Sequence, residues 1–480
     1  MKVEIGRLKK PTMKKPGIRT LQSLLITALM ITVTQSASIG SALLYKDWKT
    51  YPYHPPGTDI YFPKDEGSHN EKYQIEWWYA NFHLKGQTTG KEYGAMIVFY
   101  LIKTKVFDNL EVRLITISDP TMQKIYTNYQ IGTLNVSTDH LNLTFQNLFH
   151  NTNDIENLDT NSYSVMQAAS ILTDQLNKNP APSNQTIMEN MILTNTTLSS
   201  KFNTGGKNNN DNGINEPQSN DYWYTKSNGQ NLIPFKYVMK VGGISKQDSQ
   251  PMQLSVDMDC QKRPMIIGGT GLVPVGKDGF SYYYSLTKLS VIGSIIVNET
   301  NEAVNGIAWV DHQWGNFSNQ NPPPYALTVS VEWFSIKLDD NREIMVCDTW
   351  DQETGKKINQ SFPGMNLLNS DGSLELLKSY RITPRHFWND DYDHRNFTDR
   401  WLIYESSKSL NITIMPVFQE QVIRIPEKFS IIRQYLSNVL PEMIFWEGIC
   451  IVSGTINHIT VHGKAYVELT HNNNGINMAD

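Results

Sequence analysis

Tyr73-Gln-Ile-Glu-Trp-Trp-Tyr-Ala-Asn-Phe-His-Leu84, the link Lys85–Lys91, and Tyr93-Gly-Ala-Met-Ile-Val-Phe-Tyr-Leu-Ile102 form the stretch whose reading decides the fold. Aromatic and β-branched residues dominate both runs, the link carries turn-forming glycines, and together they predict an antiparallel hairpin. In an extended chain alternate side chains share a face, so Glu76 and Trp78 fall on one side and Trp77 and Tyr79 on the other. Glu76 is therefore a carboxylate flanked by bulky rings.

The same grammar continues along the chain. Extended segments are predicted at Glu111–Ser118, Gln130–Val136, Leu141–Phe145, Phe235–Lys240, Met252–Asp257 and Phe280–Gly293. After the proline-rich break Asn319-Gln-Asn-Pro-Pro-Pro-Tyr325 they resume at Ala326–Leu338 and Glu343–Trp350, joined by the turn Asp339-Asp-Asn-Arg342. Short strands with almost no 3.6-residue periodicity predict an all-β chain of antiparallel barrels or sandwiches. Met166–Leu176 alone among the early segments is composed for a short helix. From about residue 177 to 220 the composition shifts to Asn, Thr, Ser and Gly, which cannot bury enough apolar surface to offset ordering entropy. That tract reads as a disordered insert within the first domain. Gly268-Gly-Thr-Gly271 lacks the Lys-Ser/Thr of a phosphate loop and reads as a turn.

Gly306-Ile-Ala-Trp-Val-Asp-His-Gln-Trp-Gly315 concentrates a carboxylate, an imidazole and two indoles between glycines. Alternation places Trp309 and Asp311 on one face and Val310, His312 and Trp314 on the other, unless a bulge intervenes. Two readings of the Asp311–His312 pair stay open: a site wall, or a polar pair satisfying backbone groups in an aromatic core.

Residues 1–38 read as an export signal, with seven Lys and Arg, an apolar run from Leu21 to Val33 and small residues after it. An uncleaved membrane anchor is the alternative. Without that segment 35 basic residues face 46 acidic ones, which argues against nucleic acid as a partner. Three cysteines, Cys260, Cys347 and Cys450, allow one disulfide at most and leave at least one thiol free. Nine Asn-x-Ser/Thr sequons are present, which an Asn-rich chain also produces by chance. No Gly-x-Ser-x-Gly elbow occurs, and His394 among Asp390–Arg395 reads as a solvated charged loop.

Five motifs in order from about residue 51 to 470 resemble the lipocalin-like CrtC/AttH family. They are Tyr61-Phe-Pro-Lys-Asp-Glu-Gly67 with His69; Glu76-Trp-Trp-Tyr79 with His83-Leu84; Tyr283-Tyr-Ser285; Gly306–Gly315; and Trp446-Glu-Gly448 with Tyr466-Val-Glu-Leu-Thr470. The resemblance implies tandem lipocalin-like domains at 51–318 and 325–470, with a ligand cavity lined mainly by the first. Trp446-Glu447-Gly448 is expected to be a closing strand of the second.

Characterised relatives include carotenoid 1,2-hydratases and fungal enzymes that shape polyketide cyclisation, none of which implies a metal or an organic cofactor. His312-Gln-Trp314 resembles the hydratases' His-x-Trp, whereas their downstream Tyr-x-Asp meets only Val346-Cys-Asp348 here. The expectation is an exported protein that binds an elongated hydrophobic small molecule and catalyses cofactor-free acid/base hydration, isomerisation or cyclisation. Asp311, His312 and Glu76 are its candidate catalytic groups, and Trp78, Tyr79, Tyr283, Tyr284, Trp309 and Trp314 its candidate ligand-binding residues. A non-catalytic carrier is the alternative.

Overall fold

The hairpin forms where its composition places it. β1 (Ile75–Gly86) and β2 (Glu92–Ile102) pair antiparallel from Ile75 opposite Ile102 to Lys85 opposite Glu92. The computed structural model describes residues 48–69, 72–102, 110–132, 193–194, 202–203, 221–228, 231–275, 279–298, 300–317, 329–351, 357–358, 362–424 and 444–470. Outside those residues lie the export segment 1–38, the helix expected at Met166–Leu176, the strand expected at Leu141–Phe145, most of the Asn-rich tract and the Asn319–Tyr325 break.

Eleven further strands complete the first sheet: β3 (Leu110–Asp119), β4 (Lys124–Gly132), β5 (Leu193–Thr194), β6 (Phe202–Asn203), β7 (Tyr222–Asn228), β8 (Asn231–Ile244), β9 (Pro251–Cys260), β10 (Met265–Ile266), β11 (Leu272–Val275), β12 (Gly279–Val297) and β13 (Thr300–Asn316). Its order is β5-β4-β3-β2-β1-β13-β12-β9-β8-β7-β6, with β10 and β11 also on β12. Two two-residue elements fall within the Asn-rich tract: β5 and β6 pair in parallel at the two edges. The sheet curls until its flanks meet. There Lys246 N–H donates to the Thr127 carbonyl at 2.8 Å, and the fully buried Arg113 guanidinium pairs with Asp221 at 3.1 Å.

The second sheet holds β14 (Val329–Leu338), β15 (Glu343–Asp351), β16 (Met365–Leu368), β17 (Leu374–Leu377), β18 (Tyr380–Asp390), β19 (Arg395–Glu405), β20 (Leu410–Pro416), β21 (Val422–Arg424), β22 (Ile444–Ile456) and β23 (Ile459–Leu469). They run β17-β16-β15-β14-β23-β22-β20-β19-β18, with β21 on β22. Phe334, Trp401 and Trp446 anchor its interior. Both sheets are antiparallel apart from the two short parallel edge pairs. Among the described residues the only helical element is the 3-10 turn Lys64–Glu66.

β1 and the Ala308–Gly315 part of β13 are buried on both faces, which is why their sequences carry rings on every side. One face looks into the first sheet's own interior. The other packs on the second sheet, where Ile75, Tyr79, Tyr283 and Trp309 join one core with Trp333, Ile449 and Tyr466. Each fully buried large apolar side chain contributes about 1.5–3 kcal/mol, so this shared core ties the sheets together. Buried Lys262 adds a polar tie, donating to Glu343 at 2.6 Å and to the Asn369 carbonyl at 2.9 Å. Gly306 and Gly315 end the motif where a Cβ would strike the carbonyl oxygens of His83 and Phe280.

Candidate functional site

β1 and β13 run in unbroken register from Ile75 opposite Gly315 to Gly86 opposite Val304, with Glu76 opposite Trp314 and Trp78 opposite His312. The one irregularity nearby is in β12, between Leu286 and Leu289. Side chains of β13 therefore alternate through the motif. Asp311 and His312 project to opposite faces and build two separate clusters.

The inner cluster centres on Glu76. Its Oε1 faces His69 Nδ1 at 2.8 Å and His312 Nε2 at 2.9 Å. Its Oε2 accepts the Ser68 hydroxyl at 3.0 Å and the His69 backbone N–H at 2.7 Å. The far ring nitrogens face Asp65: His69 Nε2 lies 3.1 Å from Oδ1, and His312 Nδ1 lies 3.0 Å from the backbone carbonyl and 3.3 Å from the Tyr284 hydroxyl. Asp65 is presented by the Lys64–Glu66 turn and fixed by the Tyr61 N–H on Oδ2 at 2.7 Å. Indoles enclose the rings, Trp314 on His69 at 4.1 Å between centroids and Trp78 on His312 at 4.5 Å. Burial raises the Glu76 and Asp65 carboxyls, but the histidine hydrogen bonds outweigh it and hold both below the ordinary range. Burial lowers His69, yet its two carboxylate partners raise it on balance; His312 is lowered by burial despite Glu76. Beside this cluster the buried Glu66 accepts from Tyr51, Tyr237 and Thr225, and burial pushes it up to about 7.

The outer cluster lies between the sheets. Asp311 Oδ1 accepts the Ser285 hydroxyl at 2.5 Å and the Trp309 indole N–H at 2.7 Å. Tyr79 donates to Glu447 at 2.6 Å, and Trp333 donates to the Tyr283 hydroxyl at 3.2 Å. Glu447 stands directly opposite Glu468 in the β22–β23 pair, and Trp333 opposite Glu468 in the β14–β23 pair. Buried Lys337 donates to Asn81 at 3.0 Å, its ammonium 5.6 Å from the centre of the Trp309 ring. Here every direct carboxyl partner is neutral. Burial pushes Asp311 up to about 7 and Glu468, next to Asp311, to about 7; burial and then the Glu468 charge raise Glu447 well above its ordinary value. Burial likewise brings Lys337 down to about 7.

Of the predicted catalytic set, Glu76 and His312 meet, and Asp311 stands apart from them. Trp78, Tyr284 and Trp314 surround His312, whereas Tyr79, Tyr283 and Trp309 face the second sheet. Residue reading passed over Asp65, Glu66 and His69, although they lie in the quoted Tyr61–His69 motif. It also passed over Trp333, Lys337 and Glu468, and took Glu447 for part of a closing strand; β22 includes it, and its carboxyl reaches Tyr79.

Two antiparallel sheets joined through a doubly buried ribbon, with acids and imidazoles set along it, define an all-β protein of the lipocalin-like class. The AttH-like family matches residues 165–472, well over half of the chain, and the chain belongs to that family. Two crystal structures share the fold. A Nitrosomonas europaea protein assigned as AttH is 19% identical with a TM-score of 0.53, over 87% of this chain and 99% of its own. Kievitone hydratase from Nectria haematococca is 13% identical with a TM-score of 0.51, over 88% of this chain and 98% of its own. No curated protein matches the chain by sequence.

Proposed function

We propose that the chain is an exported, hydratase-like protein that takes an elongated apolar small molecule between its two sheets and protonates it there. The observation that carries this reading is the outer cluster: Asp311 and Glu447, two carboxyl groups whose hydrogen-bond partners are neutral, with Glu468 beside them, set among Trp309, Trp333, Tyr79 and Tyr283. A carboxylic acid kept neutral by its surroundings can transfer a proton to an alkene carbon. The indole faces stabilise the resulting cation, water adds to it, and the carboxylate recovers a proton from the added water. Trp77, Tyr100 and Phe317 pack against the shared core and are half-buried, as is Glu468, so a ligand entering between the sheets from solvent would pass them. A hydratase of the same fold supports the reaction class. In this reading residues 51–318 and 325–470 are two domains that share the cleft.

Native mass spectrometry of the full chain purified from its own host tests the reading, followed by incubation of the co-purified molecule in 18O-labelled water. The expected result is an apolar ligand that gains one labelled water. A ligand recovered unchanged would make the protein a carrier. Absence of any apolar ligand, together with no quenching of tryptophan fluorescence by a long-chain polyisoprenoid alcohol, would remove the reading altogether.

A further inference from the structure

We propose that His69, Glu76 and His312 form a binding site for one divalent transition-metal ion, on the opposite face of the ribbon from the ligand site proposed between the sheets. Their ligand atoms all lie within 4.8 Å of one another. Two imidazole nitrogens and one carboxylate oxygen are a donor set suited to Zn2+ and its neighbours in the first transition row, and three protein ligands leave a fourth position open.

The hydrogen-bond geometry accommodates such an ion. All four ring nitrogens of the two histidines face oxygen: Glu76 Oε1 takes one from each ring, and Asp65 takes the other two through Oδ1 and its backbone carbonyl. A neutral imidazole carries one N–H and one lone pair, so when both N–H groups point at Asp65 the lone pairs of His69 Nδ1 and His312 Nε2 are left facing Glu76 Oε1. One dication at the point where these three atoms converge takes both lone pairs and the carboxylate oxygen as ligands. Each ring then keeps a single N–H, and both point at Asp65. The charges of Asp65 and Glu76 balance the ion.

The surroundings have the form of a supporting shell. Metal-bound histidines usually donate their second N–H to a carboxylate or a backbone carbonyl, and Asp65 supplies one of each. Ser68 and the His69 amide occupy Glu76 Oε2, leaving Oε1 to aim at the rings. Trp314 and Trp78 cover the imidazoles, while the His69 side chain keeps 15% of its surface exposed and provides a way in. The site was hidden in the sequence because a loop, β1 and β13 each contribute one ligand.

The test is titration of the full, chelator-treated chain with Zn2+ by calorimetry and with Co2+ by visible spectroscopy. One Zn2+ per chain at micromolar affinity or better is expected, with a Co2+ spectrum showing nitrogen ligation. His69→Ala, at the partly exposed ligand, should remain folded by circular dichroism and weaken Zn2+ binding more than about 100-fold. Asp65→Asn, which leaves all three ligands in place, should weaken it by roughly 10–100-fold. Zn2+ should raise the melting temperature of the unmodified chain and not that of His69→Ala. Absence of stoichiometric Zn2+ would overturn the proposal, as would a folded His69→Ala chain that binds like the original. Should His69→Ala fail to fold, the Co2+ spectrum of the unmodified chain decides: without a nitrogen-ligated signature the site does not exist.

Discussion

The two faces of the β1–β13 ribbon bury acids equally deeply and treat them in opposite ways. Facing inward, Glu76 and Asp65 meet imidazoles and ionise more readily than free carboxyls. Facing the second sheet, one residue along from His312, Asp311 meets a hydroxyl and an indole and holds its proton up to about pH 7. Burial is common to both, so the hydrogen-bond partner decides the charge state. The faces therefore respond to pH with opposite sign. Stability from the lowered inner carboxylates is present above the ordinary carboxylate range and is lost as pH falls through their folded values. Stability from the raised outer carboxyls is present below that range and is lost as pH rises through their folded values, about 7 for Asp311 and Glu468.

Acid-to-amide substitutions can break this contrast. Glu76→Gln, measured by urea unfolding with chelator present, should cost about 3–5 kcal/mol, because an amide cannot accept at both oxygens from its four partners. A cost under about 1 kcal/mol would show that the inner cluster is not ionised. A comparable effect, spread over pH, is expected for Glu332 inside the second sheet, which burial and then the Asp348 charge push up to about 8. Unfolding free energy should decline as pH rises from the ordinary glutamate range to about 8, with Glu332 contributing up to about 1.4 kcal/mol per pH unit. Glu332→Gln should flatten that decline; an unchanged slope would place its proton elsewhere.

Asp311→Asn comes next in size. The amide oxygen can still accept from Ser285 and Trp309, so stability near neutral pH should change by less than about 1 kcal/mol while the proposed hydration stops. If it costs as much as Glu76→Gln, the two faces are alike and the outer acids do not hold protons as argued. The smallest effect belongs to removal of residues 180–218. That deletion takes away β5 and β6, which pair through two residues each, and the melting temperature should stay nearly unchanged. A marked drop would show that these edges help close the first sheet.

What the residues disclosed and what they withheld divide by distance along the chain. The hairpin at Tyr73–Ile102 and the turn at Asp339–Arg342 were legible because neighbouring residues determine them; strands end at Leu338 and restart at Glu343. The opposite facing of Asp311 and His312 followed from strand alternation alone. The partners of those residues were not legible, because no local period encodes them. Tyr79 meets Glu447 across 368 positions, and His312 meets Glu76 across 236. Asp65 was harder still, since it meets His312 through a backbone carbonyl that any residue could supply.

The three cysteines have a kinetic use. All are buried thiols, and burial raises each, Cys260 to about 12, so alkylating reagents should pass the folded chain by. Cys260 ends β9 in the first sheet, Cys347 sits in the core shared by both sheets, and Cys450 lies in the interior of the second. Pulsed alkylation in rising denaturant, read thiol by thiol by mass spectrometry, thus gives a built-in clock for the order of opening. Simultaneous labelling would mean that the sheets come apart as one cooperative unit. Early labelling of Cys347 would mean that they part at their shared core before either one unravels.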